Sequence, residues 1–189
     1  AFKSGDAVET SETQLLRMGN LYENRLDLER KPVFYPDDYA NQHSRYVLAK
    51  DDIVMTLTGT VGKQDYGYAL KIGDTEKTLL LNQRILKLYD FNSTVINQEY
   101  VLYFLQSESF LAELYATANG TRQANLSSDT IKKLKIPVPS LDKQEKAVAA
   151  FKLMDDYHHQ FFECLMEKIS NLSRLKSTLL TQELQSEAA

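Results

Sequence analysis

Two short stretches carry side chains suited to reading a polymer by hydrogen bonds. One is "LLLNQRIL", with Asn82, Gln83 and Arg84; the other is "NGTRQANLS", with Thr121, Arg122, Gln123 and Asn125. Arginine pairs with the O6 and N7 acceptors of guanine, and asparagine or glutamine pairs with adenine through two hydrogen bonds, so this mixture suits direct readout in the DNA major groove. The same residue types also cap helices and tie loops. Chemistry alone leaves both readings open. A third stretch, "TGTVGK" from Thr58 to Lys63, invites comparison with a phosphate-binding loop. The comparison fails, because Leu57 stands where the first glycine belongs and Gln64 follows the lysine where a magnesium-binding Ser or Thr is required. Its glycines make either a plain turn or a DNA-contacting loop presenting Lys63 and Gln64.

No catalytic or metal constellation emerges from the remaining polar residues. His158 and His159 are adjacent and diverge by about 100° on a helix, so they do not share a metal as an i, i+4 pair does. With Cys164 nearby, no second ligand pair appears at zinc spacing. His43 has no nucleophile motif with it, and the acidic pairs Asp37-Asp38, Asp51-Asp52 and Asp155-Asp156 read as turn and helix-surface residues. No metal or cofactor is therefore expected on this chain. Cys164, as the single cysteine in "HQFFECLMEKI", excludes an intrachain disulfide and reads as a buried thiol on an apolar helix face.

These residues must be positioned by a chain of 189 residues, 43% hydrophobic and 25% charged, which is enough for one good core, or a core plus an appendage. No apolar run reaches the roughly 18 residues a membrane span needs, and a cytoplasmic location is expected. The net charge of −4 argues against blanket coating of phosphates but leaves room for a local basic face. Arg122, Lys132, Lys133 and Lys135 face only Glu108, Glu113 and Asp129 in residues 101–139, whereas residues 140–189 are mildly acidic.

Strand-like runs fill the first half of the chain: "QLLRMGNL" and "NRLDL" as a hairpin around Tyr22 to Asn24, "DDIVMTLTGTVGK", "GYALKIG", and "LLLNQRILKLYD" as a further alternating strand. The period then changes. "NQEYVLYFLQSESFLAELYATA" places apolar residues at helical spacing, with Asn97 as N-cap and Asn119-Gly120 as the stop. After a turn, a capped helix and a short basic strand, Pro137 and Pro139 force an extended path that marks a domain boundary. A helix of about 45 residues follows, on the order of 65 Å long. Its seam of Phe162, Leu165, Ile169, Leu172, Lys176 and Leu179 alternates steps of three and four, as in a coiled coil, and so requires a partner helix. The expected architecture is α+β: a small mixed or antiparallel β-rich domain over residues 1–139 with a packed helix, one long C-terminal coiled-coil helix over 140–185, and a tail at 186–189.

The order "LLRMGNLYENRLDL", "LAKDDIVMTLTGTVGK", "LNQRILKL", "YVLYFLQSESF" and "ANGTRQANLSSDTIKKLKIPVPSLDKQEKAV" resembles the target-recognition domain and following helix of a type I restriction-modification specificity subunit, HsdS. The compound pattern of Gly120-Thr121, Gln123, Leu126, "IPVP" at residues 136–139 and Gln144 carries the resemblance. It implies a non-catalytic subunit that reads double-stranded DNA while partner methyltransferase subunits bind S-adenosylmethionine and an endonuclease subunit translocates and cuts. Lys63, Gln64, Asn82, Arg84, Thr121, Arg122, Gln123 and Asn125 are the candidate DNA contacts, and Phe162, Leu165, Ile169, Leu172 and Leu179 the candidate dimerisation residues. Family members commonly carry two recognition domains and two helices, and this sequence carries one of each. A half-length subunit that dimerises, or a fragment of a longer one, is therefore expected. The alternative from another class is a coiled-coil adaptor whose globular domain binds protein, in keeping with the net acidity.

Overall fold

The computed structural model describes residues 2–60, 62–117 and 123–187. They divide into two compact units, Ala1–Gln144 and Glu145–Ala189. The first is α+β. Strand β1 (Thr13–Leu16) lies between β4 (Phe34–Tyr35), antiparallel, and β8 (Thr78–Leu81), parallel. A second sheet centres on β5 (Ile53–Thr56), flanked antiparallel by β7 (Ala69–Lys71) and β9 (Ile85–Leu88). Two small ladders complete the set. The hairpin β2 (Leu21–Tyr22) with β3 (Arg25–Leu26) turns at Glu23 and Asn24, both at positive φ, and β6 (Thr58–Thr60) pairs with β10 (Gln123–Asn125).

Alternation along β5 distributes its side chains to two cores. Ile53 and Met55 join Leu57, Tyr66, Val101, Leu105, Phe110, Leu114 and Leu126, while Val54 joins Leu16, Leu21, Leu70, Leu79 and Ile85. Both faces of β5 are thereby covered, and all four of its residues are buried. Each Leu- or Ile-sized side chain so placed contributes about 1.5 to 3 kcal/mol.

The helical stretch is two helices rather than the one its period suggests. After the short α1 (Asp38–Gln42), α2 (Gln98–Gln106) ends at Ser107, whose extended backbone (φ −71°, ψ 146°) and side chain cap α3 (Glu108–Ala116) by accepting from the Phe110 N–H. Asn97 caps α2 as the sequence indicates, accepting from the N–H groups of Glu99 and Tyr100 at 2.9 and 3.3 Å. The expected stop at Asn119-Gly120 lies outside the described residues.

Three further expectations are corrected. "LLLNQRILKLYD" is two strands, β8 and β9, broken by a turn at Asn82 to Arg84. "QLLRMGNL" does not form one arm of the hairpin: β1 leaves for the other sheet, and a 3₁₀ turn, Met18–Asn20, intervenes. The basic segment Lys132 to Lys135 has no ladder partner and is not a strand; it follows helix α4 (Ser128–Ile131), which Ser127 caps through the Thr130 N–H.

Helix α5 runs Leu141–Glu187, about 70 Å at 1.5 Å per residue. Its first turn belongs to the first unit, where Gln144 is fully buried. The Gln144 Oε1 accepts from the Asn97 N–H (2.7 Å), and its Nε2 donates to the carbonyls of Val95 (3.0 Å) and Pro139 (2.7 Å). Beyond residue 144, Phe162, Leu165, Ile169, Leu172 and Leu179 are all exposed on the single chain. Cys164 is exposed as well, contrary to the buried thiol expected: it lies on α5 among side chains that are themselves exposed. No described helix is long and apolar enough to cross a membrane.

Gln144→Ala is expected to destabilise the first unit by about 2 to 4 kcal/mol, because it strands one buried N–H and two carbonyls at once. Gln144→Glu keeps the acceptor but sets a carboxylate against two carbonyls, so it should fare no better. Denaturant unfolding of the full chain measures both, and an unchanged midpoint for either would show that water replaces these bonds without loss.

Candidate nucleic-acid interface

The parallel pairing of β1 with β8 decides which polar residues meet. Its register ends on Leu16 opposite Leu81, so the chain leaves both strands at the same end and sets Arg17 beside Asn82. The turn that follows Leu81 is tight. The Asn82 side-chain oxygen accepts from the Arg84 N–H (3.1 Å), and its carbonyl accepts from the Ile85 N–H (3.0 Å). On the other strand, the Arg17 N–H donates to Asn20 Oδ1 (2.9 Å). The Asn20 amide, buried, donates in turn to the carbonyls of Asp27 and Arg30, both at 2.9 Å. Both arginine backbones are thus held while their side chains stay exposed. Together with Met18, Gly19, Asn82 and Gln83 they line a concavity of about 400 Å³ that contains no carboxylate.

Gln83, at the tip of the turn, also faces a broader cleft of about 880 Å³ on its other side, shared with Arg45, Tyr46, Lys87, Tyr89 and Ser127. There the Arg45 guanidinium lies over the Tyr46 ring (4.7 Å to the centroid) and bonds its hydroxyl (2.8 Å). Lys87 is neutralised by Asp52 at 2.7 Å, and Asp52 also accepts from the Ala49 N–H (2.7 Å), so this carboxylate is a buried brace rather than a surface residue.

A single strip of chain, Ile53 to Thr60, gathers the other pieces. Leu57 donates to the Arg84 carbonyl (3.0 Å) and accepts from the Leu126 N–H (2.9 Å). Next to it, β10 pairs with β6 in the register Gln123 to Thr60 and Asn125 to Thr58, and the Thr58 hydroxyl contacts the Met18 sulfur. The strip ends in the turn that carries Lys63 and Gln64, both exposed. Gly62 adopts φ +77° there, and the Lys63 N–H bonds the Thr60 carbonyl (3.0 Å). Asp65 closes the loop by accepting from the Thr60 N–H and hydroxyl, each at 2.7 Å. Partial burial pushes the Asp65 carboxyl up, but these bonds prevail and hold it below the usual carboxylate value. Gly59 is glycine for lack of room, since an added Cβ would strike the Asp65 carboxylate and the Tyr66 side chain.

Of the candidate contacts, Lys63, Gln64, Asn82 and Arg84 are therefore tied to one strip, together with the backbone of Gln123 and Asn125. Thr121 and Arg122 lie outside the described residues, as do the side chains of Gln123 and Asn125. The Asn82 side chain is committed to its turn. Arg17 and Arg45 were not legible as site residues: the recesses they line are completed by residues remote in sequence, residues 82–84 for Arg17 and 81–89 with 126–127 for Arg45. No group of three or more His, Cys, Asp and Glu among the described residues is placed to hold a metal.

The family model for the type I restriction modification DNA specificity domain matches residues 7–169. The chain belongs to this family. Its resemblance to specificity subunits is thereby confirmed, and such specificity domains are non-catalytic. The type I restriction enzyme MjaVIII specificity subunit of Methanocaldococcus jannaschii is 32% identical over 126 residues, covering 65% of this chain and 28% of that protein. The crystal structure of a type I restriction-modification system S subunit from M. genitalium superposes with a TM-score of 0.54 at 14% identity, over 82% of this chain and 35% of that one. The specificity domain described here thus spans about a third of the length of each relative.

Gly59→Ala is expected to cost about 1 to 3 kcal/mol by forcing the Asp65 loop and Tyr66 apart. Gly19→Ala is the control, because its added Cβ meets open space. Thermal unfolding of both variants checks the difference, and equal melting temperatures would refute the close approach.

Proposed function

We propose that this chain reads one half of a split DNA target as the specificity component of a type I restriction-modification assembly. Methylation of adenine, with S-adenosylmethionine bound on the methyltransferase subunits, and cutting by a translocating endonuclease subunit are left to partners; the chain itself needs no cofactor. The reading is supported most by the convergence of Arg84, the Lys63-Gln64 turn and the Gln123–Asn125 strand on one hydrogen-bonded strip, in a chain whose family is defined by DNA specificity. Amides on braced turns are equipment for direct readout, and a guanidinium group beside them binds either guanine or a backbone phosphate. With a net charge of −4, attraction to DNA must come from such a local face rather than from the whole surface.

Selection of bound DNA from a random-sequence pool, with the methyltransferase partner present, should return a defined half-site. Alanine at Lys63, Gln64, Arg84, Arg122 and Gln123 together should abolish that selection. Loss of a single base-reading arginine costs about 1 to 3 kcal/mol and relaxes one position of the site. Unchanged binding by the fivefold variant would place the interface elsewhere.

The assembly we propose is a homodimer through α5, supported by the run of exposed apolar residues at Phe162, Leu165, Ile169, Leu172 and Leu179 at coiled-coil spacing. Sedimentation at micromolar concentration should show no monomer. In such a dimer the helix also acts as a ruler between two half-sites. One heptad inserted after Leu165 adds about 10 Å, or roughly three base pairs of DNA, while nearly preserving the seam. The preferred spacer should change with it, and an unchanged spacer in an intact dimer would reduce the helix to glue.

A further inference from the structure

Arg17 and Arg84 reach the same concavity from two strand ends that only parallel pairing could bring together, and neither has a carboxylate partner among the described residues. Several other cations of this unit are engaged: Lys50 with Asp74, Lys77 with Glu12, Arg30 over the Tyr22 ring and Arg45 over Tyr46. We infer that the recess between Arg17 and Arg84 is a seat for one backbone phosphodiester of the bound DNA, gripped by both guanidinium groups and indifferent to sequence. The inference rests on the DNA-reading role proposed above and adds to it a contact that positions the duplex.

Shape favours a phosphate over a base. Base edges lie on the floor of a major groove about 8.5 Å deep, so protruding side chains must enter to reach them. Phosphates stand at the duplex surface and fit into recesses. The rim of this recess at Gly19 is bare backbone, since a Cβ there would meet open space, and Asn82 turns its side-chain oxygen inward to the Arg84 N–H. Beside the Gln83 amide, the recess then presents a pair of forks with five N–H donors each, the geometry that matches tetrahedral phosphate oxygens two at a time. The buried Asn20 amide and the Asn82 turn fix the two backbones, so little ordering is needed on binding.

The test is the salt dependence of DNA binding by the full chain with its methyltransferase partners. It compares the unaltered chain with R17A, R84A, the double variant R17A/R84A and the double lysine variant R17K/R84K. Each phosphate neutralised contributes about 0.9 to the slope of log K against log salt. The double alanine variant should lose about 0.9 in all, because both arginines serve one phosphate, and should weaken target and random DNA by the same factor. The lysine variant should retain the slope. Both arginines are exposed, so the melting temperature should not move. A loss of about 1.8 would mean two separate phosphates and overturn the shared seat. A changed base preference at any position would overturn it in favour of readout, as would an unchanged slope and affinity in favour of no contact. Saturable binding of inorganic phosphate at the recess, with the DNA slope unaltered in the variants, would reassign the seat to a free anion. No DNA binding by the unaltered assembly would overturn the proposed function together with this inference, whereas specific binding by the unaltered assembly with a slope loss of about 1.8, a changed base preference, an unchanged slope or a free-anion site overturns the inference alone.

Discussion

A buried amide cannot be left half satisfied, and Gln144 meets that requirement by tying residues 95–97 and the proline segment to the first turn of α5. Its single side chain closes hydrogen bonds with Asn97, Val95 and Pro139, each otherwise a stranded backbone group in the same region. Asn97 then has its own side chain free to cap α2, and Tyr100, one turn into that helix, returns a hydroxyl bond to the Pro137 carbonyl at 3.0 Å. The result is a closed circuit through α2, the proline segment and the first turn of α5. No apolar residue could replace Gln144, and no shorter amide could span the same three groups without moving the backbone.

The circuit bears on the interface through packing. Helix α2 contributes Val101 and Leu105 to the cluster that contains Leu57, Tyr66 and Leu126. Leu57 is the residue whose backbone joins Arg84 on one side and Leu126 on the other, and Tyr66 walls the loop of Gly59 and Asp65. Gln106 adds a bond from the end of α2 to the Ala69 carbonyl at 2.8 Å. A recognition surface made of turns needs a stiff support, because each side chain lost to disorder must be re-ordered when DNA arrives. Here the support is a close-packed core whose helical wall is fixed by one polar side chain.

Local signals were legible in the sequence and non-local ones were not. Asn97 as a cap, the proline segment and the glycine turn before Lys63 each follow from residue chemistry within a few positions, and the structure keeps all three. The break at Ser107 escaped because the apolar period runs across it nearly in phase. Only the preference of serine for a cap could have revealed it. "LLLNQRIL" read as one strand because its alternation is good, yet Asn82 has a side chain that bonds two residues ahead and folds the chain there. Arg17 was invisible for a stricter reason: its neighbours come from β8, and the pairing of parallel strands is set by sheet-level packing of Leu16 and Leu79, not by anything near residue 17. The exposed Cys164 belongs to the same class, since burial on α5 depends on what covers the helix rather than on the helix itself.

Net acidity is compatible with DNA reading once charge is counted by place rather than by sum. Several cations of the first unit are tied to carboxylates or aromatic rings, whereas Arg17, Arg84 and Lys63, near the strip that carries the amides, make no ion pair among the described residues. A uniformly basic protein gains affinity for every sequence alike, and the genome then competes with the target. In the reading proposed above, unpaired cations on an otherwise acidic chain supply the phosphate contacts that hold register, with little gain in non-specific binding. The discrimination then falls to base contacts, where an amide or guanidinium facing the wrong base loses about 1 to 3 kcal/mol. For a protein whose role is to distinguish sequences, a low background raises the ratio of specific to non-specific binding as effectively as a tighter target complex, and it does so without slowing release from the correct site.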